Sequence, residues 1–239
     1  MTLLEICVDD ARGLAAAIAG GADRIELCSV LELGGLTPSA GLMALAARAP
    51  VPVRAMIRPR GGDFVYGKPE LETMLADIDA ARLAGLAGVV LGASRPDGRL
   101  DLETLEQLVD AAGEMDKTLH RAFDLVPDLE EAVEQAVALG FDTVLTSGRA
   151  RTAPEGVADI ARAQQLAQGR IAIMAGSGVN ATTIDRLLDG APVPAVHGGC
   201  AEPAPEDSAP AVRLGFVSPG RRRTSKTQVA ALKAALAAR

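Results

Sequence analysis

The sequence is poor in several things, and each shortage excludes something. It has no Trp, one Tyr and four Phe among 239 residues, so its core cannot rest on aromatic packing. It has three Cys, an odd number, and no framework of disulfides follows from them. No uninterrupted apolar run approaches about 18 residues, so no transmembrane helix is expected. The opening MTLLEICVDD lacks a basic segment and meets acids at once, and it reads as no signal peptide. The net charge of −7 argues against a nucleic-acid binder. The one basic run, Arg221–Arg223, reads either as a solvated face or as a polyanion contact. These features together predict a reduced, cytoplasmic protein without nucleic-acid or membrane partners.

What is present is a repeat of alternating elements. Apolar strand-like runs occur at Leu3–Cys7, Arg24–Cys28, Val53–Arg58, Gly88–Gly92, Thr118–Arg121, Thr143–Ser147, Ile171–Ala175 and Ala195–Gly198. Helical patterns follow at roughly 9–19, 38–49, 69–84, 101–112, 128–139, 155–168, 180–189 and 224–238. Glycines near the helix ends, at Gly20, Gly85, Gly113, Gly140, Gly169 and Gly190, read as C-caps. GADRIEL (21–27), GLAGVVL (85–91) and GFDTVLT (140–146) look like copies of one helix-to-strand joint. Strands alternating with helices imply parallel pairing through crossovers. Eight such units in this length predict a single TIM (β/α)8 barrel over residues 1–239. The rival doubly wound sheet loses support because the first turn, CVDD, has no dinucleotide-binding glycines. The Pro-rich stretch 200–222 falls in the last strand-to-helix loop, which is unusually long.

Barrel chemistry sits at the C-terminal ends of the strands. Strand period places Glu5 and Cys7 on one face, and Glu26 and Cys28 likewise, with Leu4, Ile6, Ile25 and Leu27 opposite. Both acids are therefore expected inside the barrel, where they need partners, and Arg58 at the end of the neighbouring strand is a candidate. They form either a structural ion network or a site with a tuned general base. The only two histidines, His120 and His197, fall at predicted strand ends, and Asp124 lies four residues beyond His120. Glu5, Glu26, His120 and Asp124 are thus the catalytic candidates.

RPRGGDFVYG (58–67) concentrates two arginines, two glycines and two scarce aromatics in one loop. Arg58, Arg60, Gly61 and Gly62 can present donors to an anion there. Asp63 is placed to brace an arginine, and Phe64 and Tyr66 to cover a pocket or a subunit contact. AGSGVN (175–180) follows strand seven, where Gly176 and Gly178 allow backbone amides to approach an anion, with His197 in the next loop. Cys7, Cys28, Cys200 and His197 could share one sector of the mouth. Soft thiolates there suit Cu(I) or zinc, and buried thiols acting as small hydrophobes explain them equally.

The motifs RIELC (24–28), GGLTPS (34–39), RPRGGDF (58–64), HRAFD (120–124), LTSG (145–148) and MAGSGV (174–179) resemble, in order, those of the CutC family, proteins named for copper homeostasis. The resemblance runs from LEIC (4–7) to VH (196–197). It implies a TIM barrel, a cytoplasmic location, an oligomeric state and copper binding, with the family's paired, Cu(I)-linked cysteines matching Cys7 and Cys28. It implies no established reaction. The family often has serines after the strand-eight histidine, where this chain has Gly198 and Gly199. Two functions follow as expectations: copper binding through Cys7 and Cys28, or an enzyme acting on a small anionic, perhaps phosphorylated, metabolite.

Overall fold

Eight parallel strands close into a barrel: β1 (Leu3–Val8), β2 (Arg24–Leu27), β3 (Val53–Met56), β4 (Gly88–Leu91), β5 (Asp116–Leu119), β6 (Thr143–Thr146), β7 (Ala172–Gly176) and β8 (Ala195–Gly198). The pairing of β8 with β1 seals it, with Glu5 opposite His197 and Leu3 opposite Ala195. The computed structural model describes residues 2–205, 208–217 and 220–239. The helices of the outer ring are α1 (Ala11–Gly20), α2 (Ala40–Ala46), α3 (Lys68–Ala84), α4 (Leu102–Ala112), α5 (Leu129–Ala138), α6 (Val157–Ala167) and α7 (Ile184–Gly190). A short α8 (Ala209–Arg213) lies in the last loop, and α9 (Lys226–Ala237) completes the ring. The fold is the predicted TIM barrel. No helix among the described residues is long and apolar enough to cross a membrane.

Alternation along the strands separates two cores. Leu4, Ile6, Val8, Ile25, Leu27, Val89 and Leu91 face outward into one continuous cluster with the helices. The other face fills the barrel in small groups. Leu3, Leu145, Met174 and Ala195 pack together in one group, and Cys28, Met56 and Val90 in another. At the closed end, Arg54 donates to Thr118 and Thr143 hydroxyls at 2.6 and 3.1 Å and to Asp116 at 3.0 Å. With so few aromatics, the interior is filled by aliphatic, sulfur and paired polar side chains.

The joints follow local chemistry. Asp10, Ser39, Asp101, Asp128 and Ser225 accept backbone N–H groups at helix N-termini. Gly85, Gly113, Gly140 and Gly169 take positive φ at or beside the helix ends. Gly20 and Gly190 differ from expectation: both lie inside helices, where a Cβ would stand 2.5 Å from Val229 Cβ and 2.7 Å from Val157 Cγ2. They permit close helix packing, and Gly21 takes the left-handed cap of α1.

Several predicted boundaries shift. Strand three stops at Met56, so Arg58 lies beyond it. Strand five begins at Asp116, and His120 caps a 3₁₀ turn over Arg121–Leu125. The helix expected from 180 begins at Ile184, because the Asn180 side chain accepts Thr182 N–H and the Thr183 hydroxyl accepts Asn180 N–H in a separate turn. The stretch 200–222 also carries regular structure. β9 (Ala201–Pro203) pairs antiparallel with β10 (Arg222–Thr224), placing a two-stranded ribbon at the mouth. Residues 206–207 and 218–219 of that stretch lie outside the described residues.

Candidate active site at the barrel mouth

A cavity of about 430 Å³ opens at the C-terminal ends of the strands. Its walls come from Cys7 of β1, Glu26 of β2, Met56 of β3, His120 after β5 and His197 of β8. Arg58, Phe64, Arg121 and the Ser177–Val179 turn line it, and Arg222 and Arg223 reach it from the ribbon.

One wall is a buried polar chain. Arg24 Nε donates to Glu5 Oε2 at 2.5 Å, and His197 Nδ1 lies 2.8 Å from Glu5 Oε1. His197 Nε2 then lies 3.8 Å from Glu26 Oε2, and the Cys28 thiol donates to that same oxygen at 3.4 Å. Burial would raise the Glu5 carboxyl, but the hydrogen bond from His197 and the Arg24 charge outweigh it and hold it at about 2. For Glu26, burial outweighs the nearby His197 charge, and with Glu5 adding to the rise the carboxyl is pushed up. Burial opposes charge on His197 too, yet the neighbouring Cys7 and Glu26 hold it well above the ordinary imidazole value. Burial, reinforced by Glu26, pushes the Cys28 thiol well up, and burial lifts Cys200 to about 11.

The opposite wall holds donors. His120 Nδ1 accepts Ala122 N–H at 3.1 Å, so the neutral ring carries its proton on Nε2. That buried Nε2 has no partner among the described residues, and Arg58 Nε is in the same condition. Burial, aided by the Arg58 charge, depresses His120 to about 3, so it stays neutral. Phe64 packs against both residues. Its ring centroid is 4.6 Å from that of His120 and 5.0 Å from the Arg58 guanidinium carbon. Gly92 makes room for this arrangement, because a Cβ there would sit 2.5 Å from the imidazole.

The predicted residues divide. Cys7, Glu26, Arg58, His120, Gly178 and His197 line the cavity. Glu5 is fully buried behind His197 and acts on the cavity only through it. Arg58 does not pair with Glu5 or Glu26, as it was expected to; it donates to the carbonyls of Leu33, Gly35 and Gly62 at 2.8, 3.1 and 2.8 Å. Arg24, at the start of β2 on the same face as Glu26, takes the predicted role instead. The sequence carried that signal in its period, two residues before Glu26.

Arg60, Gly61 and Gly62 do not line the cavity. Arg60 pairs with Glu70 and with Asp63 at 3.0 Å, and lies over the Tyr66 ring. The turn therefore satisfies its own arginine and offers no donors to the mouth. Gly176 is also outside the cavity, packed where a Cβ would meet Leu145. The helix expected to open at 180 begins at Ile184, so the cavity is lined there by the Ser177–Val179 turn and not by a helix N-terminus. Asp124 lines nothing. It accepts from the Thr146 hydroxyl at 2.5 Å, the Ser147 amide at 3.1 Å and hydroxyl at 2.9 Å, and Arg121 Nε at 2.7 Å. It braces loops. Met56 and Arg121 line the cavity without having been singled out as ligand contacts, and Arg222 and Arg223 of the basic run reach it.

Copper fits this donor set in kind and only partly in arrangement. Cu(I) favours soft sulfur ligands. Cys7 and Met56 reach the cavity, whereas Cys28 does not line it and its thiol is engaged with Glu26. Cys200 does not line it either.

A closed eight-stranded parallel barrel with a ligand-sized cavity at its C-terminal mouth is the architecture of a TIM-barrel binding or catalytic protein. The CutC family model matches residues 2–202, and the chain belongs to the CutC family. A CutC protein of Rhizobium meliloti is 58% identical, over 98% of this chain and 95% of its own length. One from Caulobacter vibrioides is 52% identical over 99% and 97%. The crystal structure of CutC from Streptococcus agalactiae, named for copper homeostasis, superposes with a TM-score of 0.80 at 34% identity, over 83% of this chain and 99% of that one. Phosphoribosyl anthranilate isomerase from Thermotoga maritima shares the fold alone, at TM-score 0.59 and 15% identity.

Proposed function

We propose that the protein is an enzyme acting on a small anionic metabolite in the barrel mouth. The carrying observation is the pair of buried donors without protein partners, His120 Nε2 and Arg58 Nε, on residues that line one cavity. A buried donor left unpaired costs about 1–3 kcal/mol, and an oxyanion between the two removes both penalties. Arg222 also reaches the opening, while Arg121 and Arg223 are paired with Asp124 and Glu202, and Asp9 and Glu32 line the same cavity. Facing these donors, Glu26 and His197 form the reactive wall. A carboxyl pushed up by burial and an imidazole held up by its neighbours are the groups on that wall that can exchange a proton with a bound substrate. Phosphate, pyrophosphate and small dicarboxylates are the probes for a thermal-shift test. At least one stabilises the wild type, and His120→Asn, which keeps the cap of the 3₁₀ turn but lacks the Nε2 donor, loses most of that shift. Equal shifts in both proteins overturn the reading.

A second reading, Cu(I) handling, is favoured by the sulfur atoms at the cavity and by the name of the Streptococcus agalactiae relative. Cys7 and Met56 would bind first, and Cys28 would join by releasing Glu26. Unchanged Cu(I) affinity in the Cys7→Ser/Cys28→Ser double variant removes it.

A further inference from the structure

Three donors of different chemistry converge on the reactive wall. Cys7 Sγ, a Glu26 carboxylate oxygen and a His197 ring nitrogen lie within 4.8 Å of one another. They come from β1, β2 and β8, three strands adjacent around the barrel, one donor from each. We propose that these residues are the three protein ligands of a divalent ion of the zinc class, with its fourth position open to the cavity. The inference rests on the reading of the mouth as an anion-binding reactive site and names the cofactor of that site; with the ion bound, Glu26 and His197 serve as its ligands, and the open position replaces their proton exchange as the reacting group.

The donor types select the ion. One thiolate, one carboxylate and one imidazole make a borderline set, which suits zinc, and three protein ligands with one open position are the pattern of catalytic zinc. Cu(I) favours the softer, sulfur-only set. A tetrahedral zinc with bonds of about 2.0–2.3 Å separates its ligand atoms by roughly 3.3–3.7 Å. His197 Nε2 and Glu26 Oε2 already stand 3.8 Å apart, so the triangle closes by small side-chain movements.

The surroundings orient each ligand. Glu5 accepts from His197 Nδ1 and leaves Nε2 facing the site, the carboxylate–histidine–metal arrangement, with Arg24 fixing Glu5 in turn. Glu26 is 3% exposed, lines the cavity, and its Oε1 has no protein partner. No side chain covers the Cys7 thiol from Gly199, where a Cβ would stand 3.7 Å from Sγ. On binding, the Cys7 thiol and the His197 Nε2–H each give a proton to solvent, and the thiolate and the freed Nε2 take coordination positions. β5 stands diametrically across the barrel from β1. An anion with one oxygen on the ion therefore directs its others toward His120.

The test uses the full chain freed of metal by chelator and titrated with Co(II), then Zn(II). The expected result is one cobalt bound per chain, a thiolate-to-cobalt charge-transfer band, and displacement by zinc. Cys7→Ser abolishes the band. Glu5→Gln weakens zinc binding about 10–100-fold, and Glu26→Gln and His197→Gln weaken it further. Cys28→Ser changes it by no more than a few-fold. No charge-transfer band in the wild type, or a band that survives Cys7→Ser, overturns the proposal. So does an affinity that depends on Cys28 and not on His197. Anion thermal shifts run on both metal-free and zinc-loaded protein separate the two claims. Anion binding without metal binding sinks this inference alone, and metal binding without any anion shift sinks the reading of the mouth alone.

Discussion

His197 Nδ1 stands 2.8 Å from Glu5 Oε1 across the β8–β1 seam that closes the barrel. The seam thus joins the acid that neutralises Arg24 to the ring that faces the cavity. A structural ion pair and a reactive wall share one carboxylate, and stability and function are coupled through it.

Arg24→Met tests the structural half. It leaves a fully buried Glu5 carboxylate without its cation, which costs about 3–5 kcal/mol. Urea denaturation measures this as a lowered midpoint. Arg170→Ala, which breaks an exposed pair with Glu134, leaves the midpoint nearly unchanged. Similar midpoints for the two variants contradict the burial argument.

His120 gives a pH dependence. Its folded value of about 3 lies below the ordinary 6.5, so between those values the unfolded chain binds a proton that the native protein refuses. The contribution is fully present above about pH 6.5 and is lost progressively as pH falls toward 3. His120→Asn cannot titrate, and its stability declines less steeply across that window. Parallel stability-versus-pH curves for the two proteins would show that His120 is not held neutral.

Gly92→Ala disturbs the same ring without touching its chemistry. The added methyl would overlap the imidazole, and the ring must leave its place beside Phe64. Anion-induced thermal shifts fall as far as in His120→Asn while overall helix content is kept. A full shift in Gly92→Ala argues that the ring position is unimportant.

Asp124→Ala separates bracing from binding. The variant loses its bonds to Thr146, Ser147 and Arg121, costing about 2–4 kcal/mol in stability as several charged hydrogen bonds go together. Hydrogen exchange quickens in residues 147–153, because Ser147 and Arg149 amides both donate to this carboxylate. Unchanged exchange there contradicts the assignment of Asp124 as a loop brace.

The sequence made the barrel legible because its strand and helix periods alternate cleanly and its glycines mark the joints. The inward face of Glu5, Cys7, Glu26 and Cys28 followed from the period of two, and both histidines fell at strand ends. The partner of Glu5 was less accessible. Parallel stagger sets Arg24 beside Glu5, a register that spacing along one strand does not reveal. Arg58 and Asp124 carry charge that looks functional in one dimension. Their partners are loop backbone and hydroxyl groups that only the folded loops bring near. The ribbon of β9 and β10 pairs residues about twenty apart through a Pro-rich stretch without periodicity. The His120 tautomer depends on one amide, Ala122 N–H, and needs coordinates.

The most direct measurement is the ¹⁵N NMR spectrum of histidine-labelled protein, in which only two rings contribute. The account predicts that His120 stays neutral with its proton on Nε2 across the neutral range. It also predicts that the Nε2 resonance moves when a small anion from the thermal-shift set is added. A His120 ring that titrates near 6.5, or whose Nε2 moves with none of those anions, contradicts the account.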